Sequence, residues 1–275
     1  MKAWQFTMTN EPLVLNEVPE PTPGPGEVVL DIKAAGLCHS DVGAMTDPGW
    51  LAIIPNRPIT IGHEIAGVVS ALGEGVTDVK IGDRVGVCPT ASELAPGYGR
   101  DGGFTYKHRV LAGDLVPMPD ALSFELAALG TDAGMTAYQA MVVRGGLKPG
   151  MKVGVIGLGG LGQIGARVVV VKGAEVHVAE MNKAVWPLAK ELGVTSVVAD
   201  VSEWAGQGFD LILNKAQLLG SVGGTKEDVA AVYELIGSGD LKPVVTVITF
   251  DEIPDSLEKL HQGKVIGRLV AHIAD

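Results

Sequence analysis

Hydrophobic positions follow two different rhythms along this chain of 275 residues. Up to about residue 130 they come in short bursts, at 27–33, 65–70 and 83–87, separated by turns carrying Gly73, Gly75 and Gly82 and preceded by the Pro- and Gly-rich stretch 19–26. Short strands bounded by glycine at such spacing predict a β-barrel or sandwich. After Thr131 the rhythm changes. Residues 133–143 are predicted as one helix, followed by a strand at 153–156, a helix at 161–172 and a strand at 175–179. A helix at 183–192, with Gly193 just past its end, precedes further strands at 197–199 and 210–213. Strands alternating with helices predict a parallel sheet covered on both faces. The expected fold class is α/β plus β-barrel.

Composition narrows the function. Hydrophobic residues make up 47% and charged residues 19%, ample for a core and unlike a disordered chain. The formal net charge of −11 argues against a nucleic-acid backbone or an anionic membrane as the main partner. Two cysteines, Cys38 and Cys88, cannot build a disulfide framework. The N-terminal residues show no apolar leader, and no apolar run approaches the roughly 18 residues of a membrane span. The expectation is a cytoplasmic enzyme.

Gly157-Leu158-Gly159-Gly160-Leu161-Gly162 follows a predicted strand and opens a predicted helix. In this frame Gly157 permits the tight turn, Gly159 lets a pyrophosphate approach the backbone, and Gly162 lets the helix pack close to the strand. The helix N-terminus, from Gly160 and Leu161, then offers free N–H groups to phosphates. The next strand ends at Glu180, where an acid meets an adenosine ribose and repels a 2′-phosphate, so NAD is expected over NADP.

Two further fragments, Gly36-Leu37-Cys38-His39-Ser40-Asp41 and Gly62-His63-Glu64, are each unremarkable alone. Together with the glycine turn and the segment from Gly130 to Tyr138, they resemble the zinc-dependent alcohol dehydrogenases of the medium-chain dehydrogenase/reductase superfamily. The most specific match is His63-Glu64 with glycines at Gly62, Gly67 and Gly73 and with Val76. The resemblance covers nearly the whole chain. It implies a GroES-like catalytic domain at 1–132, a Rossmann-type doubly wound parallel sheet at 133–223, and a C-terminal return to the catalytic domain at 224–275.

The resemblance also implies roles. Cys38, His63 and Asp132 become ligands of one catalytic zinc, with Glu64 behind the metal and able to exchange into its open position. Asp41 would accept the free N–H of His63. Zinc as a Lewis acid lowers the pKa of an alcohol, Ser40 takes its proton, and hydride passes to the nicotinamide. His39 and Arg268 would lie near the cofactor pyrophosphate and Gly223 beside the nicotinamide, while Trp50 and Phe104 would line the substrate cleft. The implied substrates are small alcohols, aldehydes or ketones, and the implied assembly is a homo-oligomer, dimer or tetramer.

Three departures stand out. Cys88 is a single cysteine where many relatives hold a structural zinc in four, so no structural zinc is expected. Gly43 occupies the place of a relay histidine. Finally, the Rossmann-type sheet looks shortened: after 209–213 the chain runs through Asn214-Lys215 straight into 217–222, which resembles the sixth strand. Parallel neighbours need a crossover of a dozen or more residues. Either the fifth strand and its helix have been lost, or additional residues belong near Leu213. Two competing functions remain: a non-catalytic zinc or nucleotide binder, and an NADP-linked quinone or enone reductase of the same superfamily, against which the ligand set argues.

Overall fold

A computed structural model describes residues 1–213 and 223–274. The chain opens with β1 (Lys2–Phe6), β2 (Val14–Glu17) and the long β3 (Glu27–Leu37), then α1 (His39–Thr46), β4 (Ile59–Thr60), β5 (Glu64–Leu72), β6 (Arg84–Val87), β7 (Lys107–Leu111) and β8 (Leu115–Pro117). α2 (Phe124–Leu129) and α3 (Met135–Tyr138) follow, then β9 (Lys152–Ile156), α4 (Gly160–Val171), β10 (Glu175–Ala179), α5 (Trp186–Leu192), β11 (Ser196–Val198) and β12 (Leu211–Leu213). The last elements are α6 (Lys226–Gly237), β13 (Val245–Thr249), α7 (Ile253–His261) and β14 (Arg268–His272).

The expected β-rich half is a seven-stranded mixed sheet in the order β13-β14-β3-β5-β6-β8, with β7 also on β3, beside a three-stranded sheet β2-β1-β4. Its interior is a close-packed set including Leu30, Ile32, Ile65, Val85, Phe104 and Ile253. β3 carries two antiparallel neighbours on one edge, β7 along Glu27–Asp31 and β14 along 34–37. The C-terminal strand therefore returns to the middle of the barrel sheet: Leu269 lies opposite Leu37.

The second half is a parallel sheet in the order β11-β10-β9-β12, the four-strand portion 3-2-1-4 of a doubly wound sheet. Val153, Val155, Val176 and Val178 are fully buried in it, packed beneath Ala166 and Val169 of α4. The expected joint Asn214-Lys215, the expected sixth strand at 217–222 and the gap expected beside Leu213 lie outside the described residues. A third apolar cluster joins the two halves. Val229, Val232 and Tyr233 of α6 meet Ala127, Leu129 and Met135, with Ile164 of α4 and Ala34, Ala66 and Val270 of the barrel sheet.

The helix expected at 133–143 is longer and less regular. From Phe124 to Arg144 the chain keeps right-handed helical geometry, but two stretches, Gly130–Gly134 and Gln139–Arg144, are π-helical. The expected boundary at 132 thus falls inside a continuous helical run. Wide turns of this kind re-aim side chains and recur at functional sites, and Asp132 sits on the first of them.

Candidate metal and cofactor site

Four donors converge where strand ends meet. Cys38 is the residue after β3 and caps α1: its N–H donates to Asp41 Oδ2 at 2.9 Å, a carboxylate on the first turn of the helix that follows. In the β3–β5 register Gly36 lies opposite Glu64, so Cys38, just past the end of β3, and His63, just before β5, come to the same end of the pair. Gly36 has to be glycine, because a Cβ there would lie 1.9 Å from Glu64 Oε2. Asp132 arrives from the π-turn, braced by Thr136, whose hydroxyl donates to Oδ1 at 3.1 Å.

Ligand atoms of Cys38, His63, Glu64 and Asp132 all lie within 4.8 Å of one another. Asp132 Oδ2 is 3.3 Å from His63 Nε2 and 3.8 Å from Cys38 Sγ. For zinc–ligand bonds of about 2.0–2.3 Å, the edges of a tetrahedron measure about 3.3–3.8 Å. Cys38, His63 and Glu64 are buried, and both Asp41 Oδ1 and Glu64 Oε2 lack a hydrogen-bond partner. Buried acceptors without partners are costly unless a cation balances them. On donor chemistry, spacing and charge, the residues fit a zinc ion.

The surrounding charges pull in opposite directions. Burial pushes Glu64 up to about 7, against the neighbouring Arg268 guanidinium, which favours the carboxylate. Burial also raises Asp132, but the hydrogen bond and charge of His63, with Arg268 beyond, win and hold it below the usual range. Arg268 is 4% exposed. Its Nη2 donates to Glu64 Oε1, which also accepts from the Ala133 N–H at 3.3 Å. β14 aims it there, since Leu269 pairs with Leu37, one residue before Cys38.

The same side chain reaches the glycine turn. A Cβ on Gly160 would meet Arg268 Cδ at 2.6 Å. Gly157 has φ of 88°, the left-handed region that glycine tolerates, and a Cβ on Gly162 would lie 2.0 Å from the Gly157 carbonyl oxygen. Nothing lies within 4 Å of a Cβ on Gly159, and Leu161 is partly exposed. Glu180 does not stand free at the end of β10. Its Oε2 accepts from the Leu158 N–H at 2.7 Å and its Oε1 from the Asn182 N–H at 2.6 Å, so the carboxylate ties the two βα turns together.

The other expected site residues are distributed unevenly. Ser40 Oγ lies 3.4 Å from His63 Nε2. His39 is exposed, with its pKa lowered by burial of part of the ring and by Arg268 and His261. Asp41 Oδ1 is 3.3 Å from His63 Nδ1 without making a hydrogen bond. Trp50 is half-buried near the donors, its ring centroid 5.7 Å from that of Tyr98. Gly223 packs on Thr90, whose hydroxyl donates to the Gly224 carbonyl at 2.6 Å. Phe104 is a correction: it is fully buried in the barrel core, its ring under Gly62, and does not line a cleft. The residue that sequence reasoning missed is Tyr98, whose hydroxyl is 3.2 Å from His63 Nδ1. It lies between turn-forming glycines in a segment with no periodic pattern.

Residues 24–120 match the family described as the alcohol dehydrogenase GroES-like domain. An alcohol dehydrogenase of Geobacillus stearothermophilus is 30% identical, in an alignment that takes in 99% of this chain and 100% of the relative. The chain belongs to the alcohol dehydrogenase family. That alignment runs over 339 positions against a chain of 275 residues, so the family member from Geobacillus carries a stretch that this dehydrogenase lacks. An NADP-dependent alcohol dehydrogenase C of Mycobacterium bovis is 34% identical over 77% of this chain and 69% of its own. Among solved structures, acetophenone reductase from Geotrichum candidum in complex with NAD superposes with a TM-score of 0.88 at 26% identity, over 98% of this chain and 96% of that one. The GroES-like barrel and the parallel sheet expected from the sequence are therefore those of the medium-chain alcohol dehydrogenases. No described helix is long and apolar enough to cross a membrane.

Proposed function

We propose that the protein is a zinc-dependent, NAD-linked dehydrogenase that interconverts small alcohols with aldehydes or ketones in the cytoplasm. The single observation that carries this reading is Arg268, one buried side chain in contact with both the donor cluster, through Glu64, and the glycine turn, at Gly160. Cys38, His63 and Asp132 would hold the zinc, with Glu64 as an exchangeable fourth donor. In this reading residues 1–132 with 224–275 serve metal and substrate, and 133–223 serve the cofactor.

When bound, zinc would supply a Lewis acid for the alcohol or carbonyl oxygen, and nicotinamide a hydride acceptor or donor. The protein's own groups do the rest. Ser40 Oγ, beside His63 Nε2, is suited to hold the proton that leaves the alcohol hydroxyl. Arg268 holds Glu64 through its Oε1, while the N–H groups opening α4 at Gly160 and Leu161 suit a pyrophosphate. Arg268 and His39 would add positive charge beside it, and Gly223 would border the nicotinamide. Trp50 supports an apolar wall for substrate.

The fixed negative charge of Glu180 at the ribose end of the turn supports NAD. One zinc per chain is proposed, because Cys88 lacks the three companions of a structural site; its sulfur lies 3.7 Å from Met135 Sδ. A dimer or tetramer is proposed by family resemblance. Elemental analysis coupled to NAD-dependent turnover of primary and secondary alcohols tests the whole reading. One zinc per chain with NADH formation is the expected result. Two tightly held zincs, no zinc, or NADH binding without turnover in zinc-replete protein would overturn it.

A further inference from the structure

His63 Nδ1 faces two oxygens. One is Asp41 Oδ1, at 3.3 Å and not hydrogen-bonded, while the other oxygen of that carboxylate is committed to the Cys38 N–H. The second is the Tyr98 hydroxyl, at 3.2 Å and in hydrogen-bonding geometry. The loop carrying Tyr98 is fastened to the strand that leads into His63. Gly102 donates to the Thr60 carbonyl and Gly103 to the Gly62 carbonyl, each at 2.7 Å, and the Thr60 N–H donates to Asp101 Oδ1 at 2.8 Å. The ring is held as well, with centroids 5.3 Å from His63 and 5.7 Å from Trp50. A phenol oxygen carries acceptor lone pairs as well as its own proton, so it can accept from Nδ1 while that proton goes to another acceptor.

We propose that Tyr98 is the positioning residue of His63: its hydroxyl accepts the Nδ1 proton, fixes the tautomer and the ring angle, and so commits Nε2 to the zinc. Asp41 Oδ1, 3.3 Å from the same nitrogen, adds its negative charge on that side of the ring. The proposal rests on the metal reading above and goes beyond it, because the acceptor comes from the loop between β6 and β7 and not from the Cys38 helix. Partners of this kind orient metal-ligating histidines and raise their basicity.

Tyr98→Phe removes the hydroxyl and keeps the ring. Three measurements compare it with the native enzyme: the rate at which a chelator strips zinc, the visible absorption of the cobalt-substituted protein, and the melting temperature of the metal-free protein. Zinc should leave at least about ten-fold faster, since such partners are worth about 10–100-fold in metal affinity. The cobalt bands should shift, and the metal-free melting temperature should stay unchanged. Native stripping rates with native cobalt bands would overturn the proposal. So would a lower metal-free melting temperature with unshifted bands, which marks a purely structural hydroxyl. A native protein that takes up neither metal would overturn the metal reading itself, and the native control reveals that before the variant is compared.

Discussion

Trp50 occupies the volume into which a side chain at Gly43 would project: a Cβ there would lie 2.8 Å from the indole Nε1 and 2.9 Å from Cε2. By the family resemblance position 43 is the place of a relay histidine, and Trp50 fills the space such a side chain would need. Gly43→His should therefore fail to supply a relay. It should lower stability by about 1–3 kcal/mol through overpacking. Trp50→Ala in the same chain should recover part of that loss, and a double-mutant cycle of denaturation midpoints reads the coupling. Strict additivity of the two changes would show that the side chains do not compete for this space.

Removing any one of Cys38, His63 or Asp132 should empty the site. In Cys38→Ser, His63→Ala and Asp132→Asn, bound zinc should fall well below one per chain. Turnover should drop by roughly a thousand-fold, the rate equivalent of about 4 kcal/mol of lost charge stabilisation. Far-ultraviolet dichroism should show retained secondary structure. Full zinc content in Asp132→Asn would remove Asp132 from the ligand set.

Cofactor preference should hinge on the end of β10. Glu180→Ser with Met181→Arg removes the carboxylate and places a cation at the neighbouring position, where Met181 is 84% exposed. A 2′-phosphate against the native carboxylate costs on the order of several kcal/mol if water is excluded, less if the site is wet. The ratio of kcat/KM for NADP to that for NAD should rise by about ten-fold or more, equivalent to at least 1.4 kcal/mol. Equal efficiency of the native enzyme with both cofactors would mean that Glu180 serves only the backbone N–H groups of Leu158 and Asn182.

Tyr233 should be a stability residue. It is fully buried against Gly86 and Gly130, and its hydroxyl donates to the Ala127 carbonyl at 3.1 Å. Tyr233→Phe leaves that carbonyl without its partner and should cost about 1–3 kcal/mol. Tyr233→Ala adds a cavity between the barrel and the helices and should cost about 3–5 kcal/mol. Unfolding by denaturant at neutral pH checks both, and a neutral Tyr233→Ala would refute the packing argument.

Acid should weaken the fold through His108. Burial, with Arg100 and Arg109 nearby, pushes its pKa from 6.5 to about 3. Below pH 6.5 the unfolded chain takes up a proton that the native state refuses until about pH 3. Native stability is thus full above 6.5 and falls as pH drops through that window, by about 1.4 kcal/mol per pH unit and so about 2 kcal/mol between pH 6.5 and 5. In His108→Leu this share of the slope should vanish; an unchanged slope would place the titration elsewhere.

Much of this enzyme was legible from local pattern. The change from short strands to strand-helix alternation separates the two sheets because side-chain periodicity is set by neighbours a few residues away. The glycine turn was legible for the same reason, since Gly157 and Gly162 meet constraints imposed within one βα unit. Cys38, His63 and Asp132 stood out by resemblance, residue by residue. The partners of these groups were not legible. Glu64 and Arg268 are 204 positions apart and touch because β14 returns to β3 and β3 pairs with β5. Asp132 reaches the donors through a π-turn that no propensity signals, Tyr98 reaches His63 through a loop without periodicity, and Phe104 is core because its ring lies under Gly62. Which residue types could do the chemistry is written in short stretches of sequence. Which atoms face one another depends on strand register and loop packing, and these are settled by burying the whole chain at once.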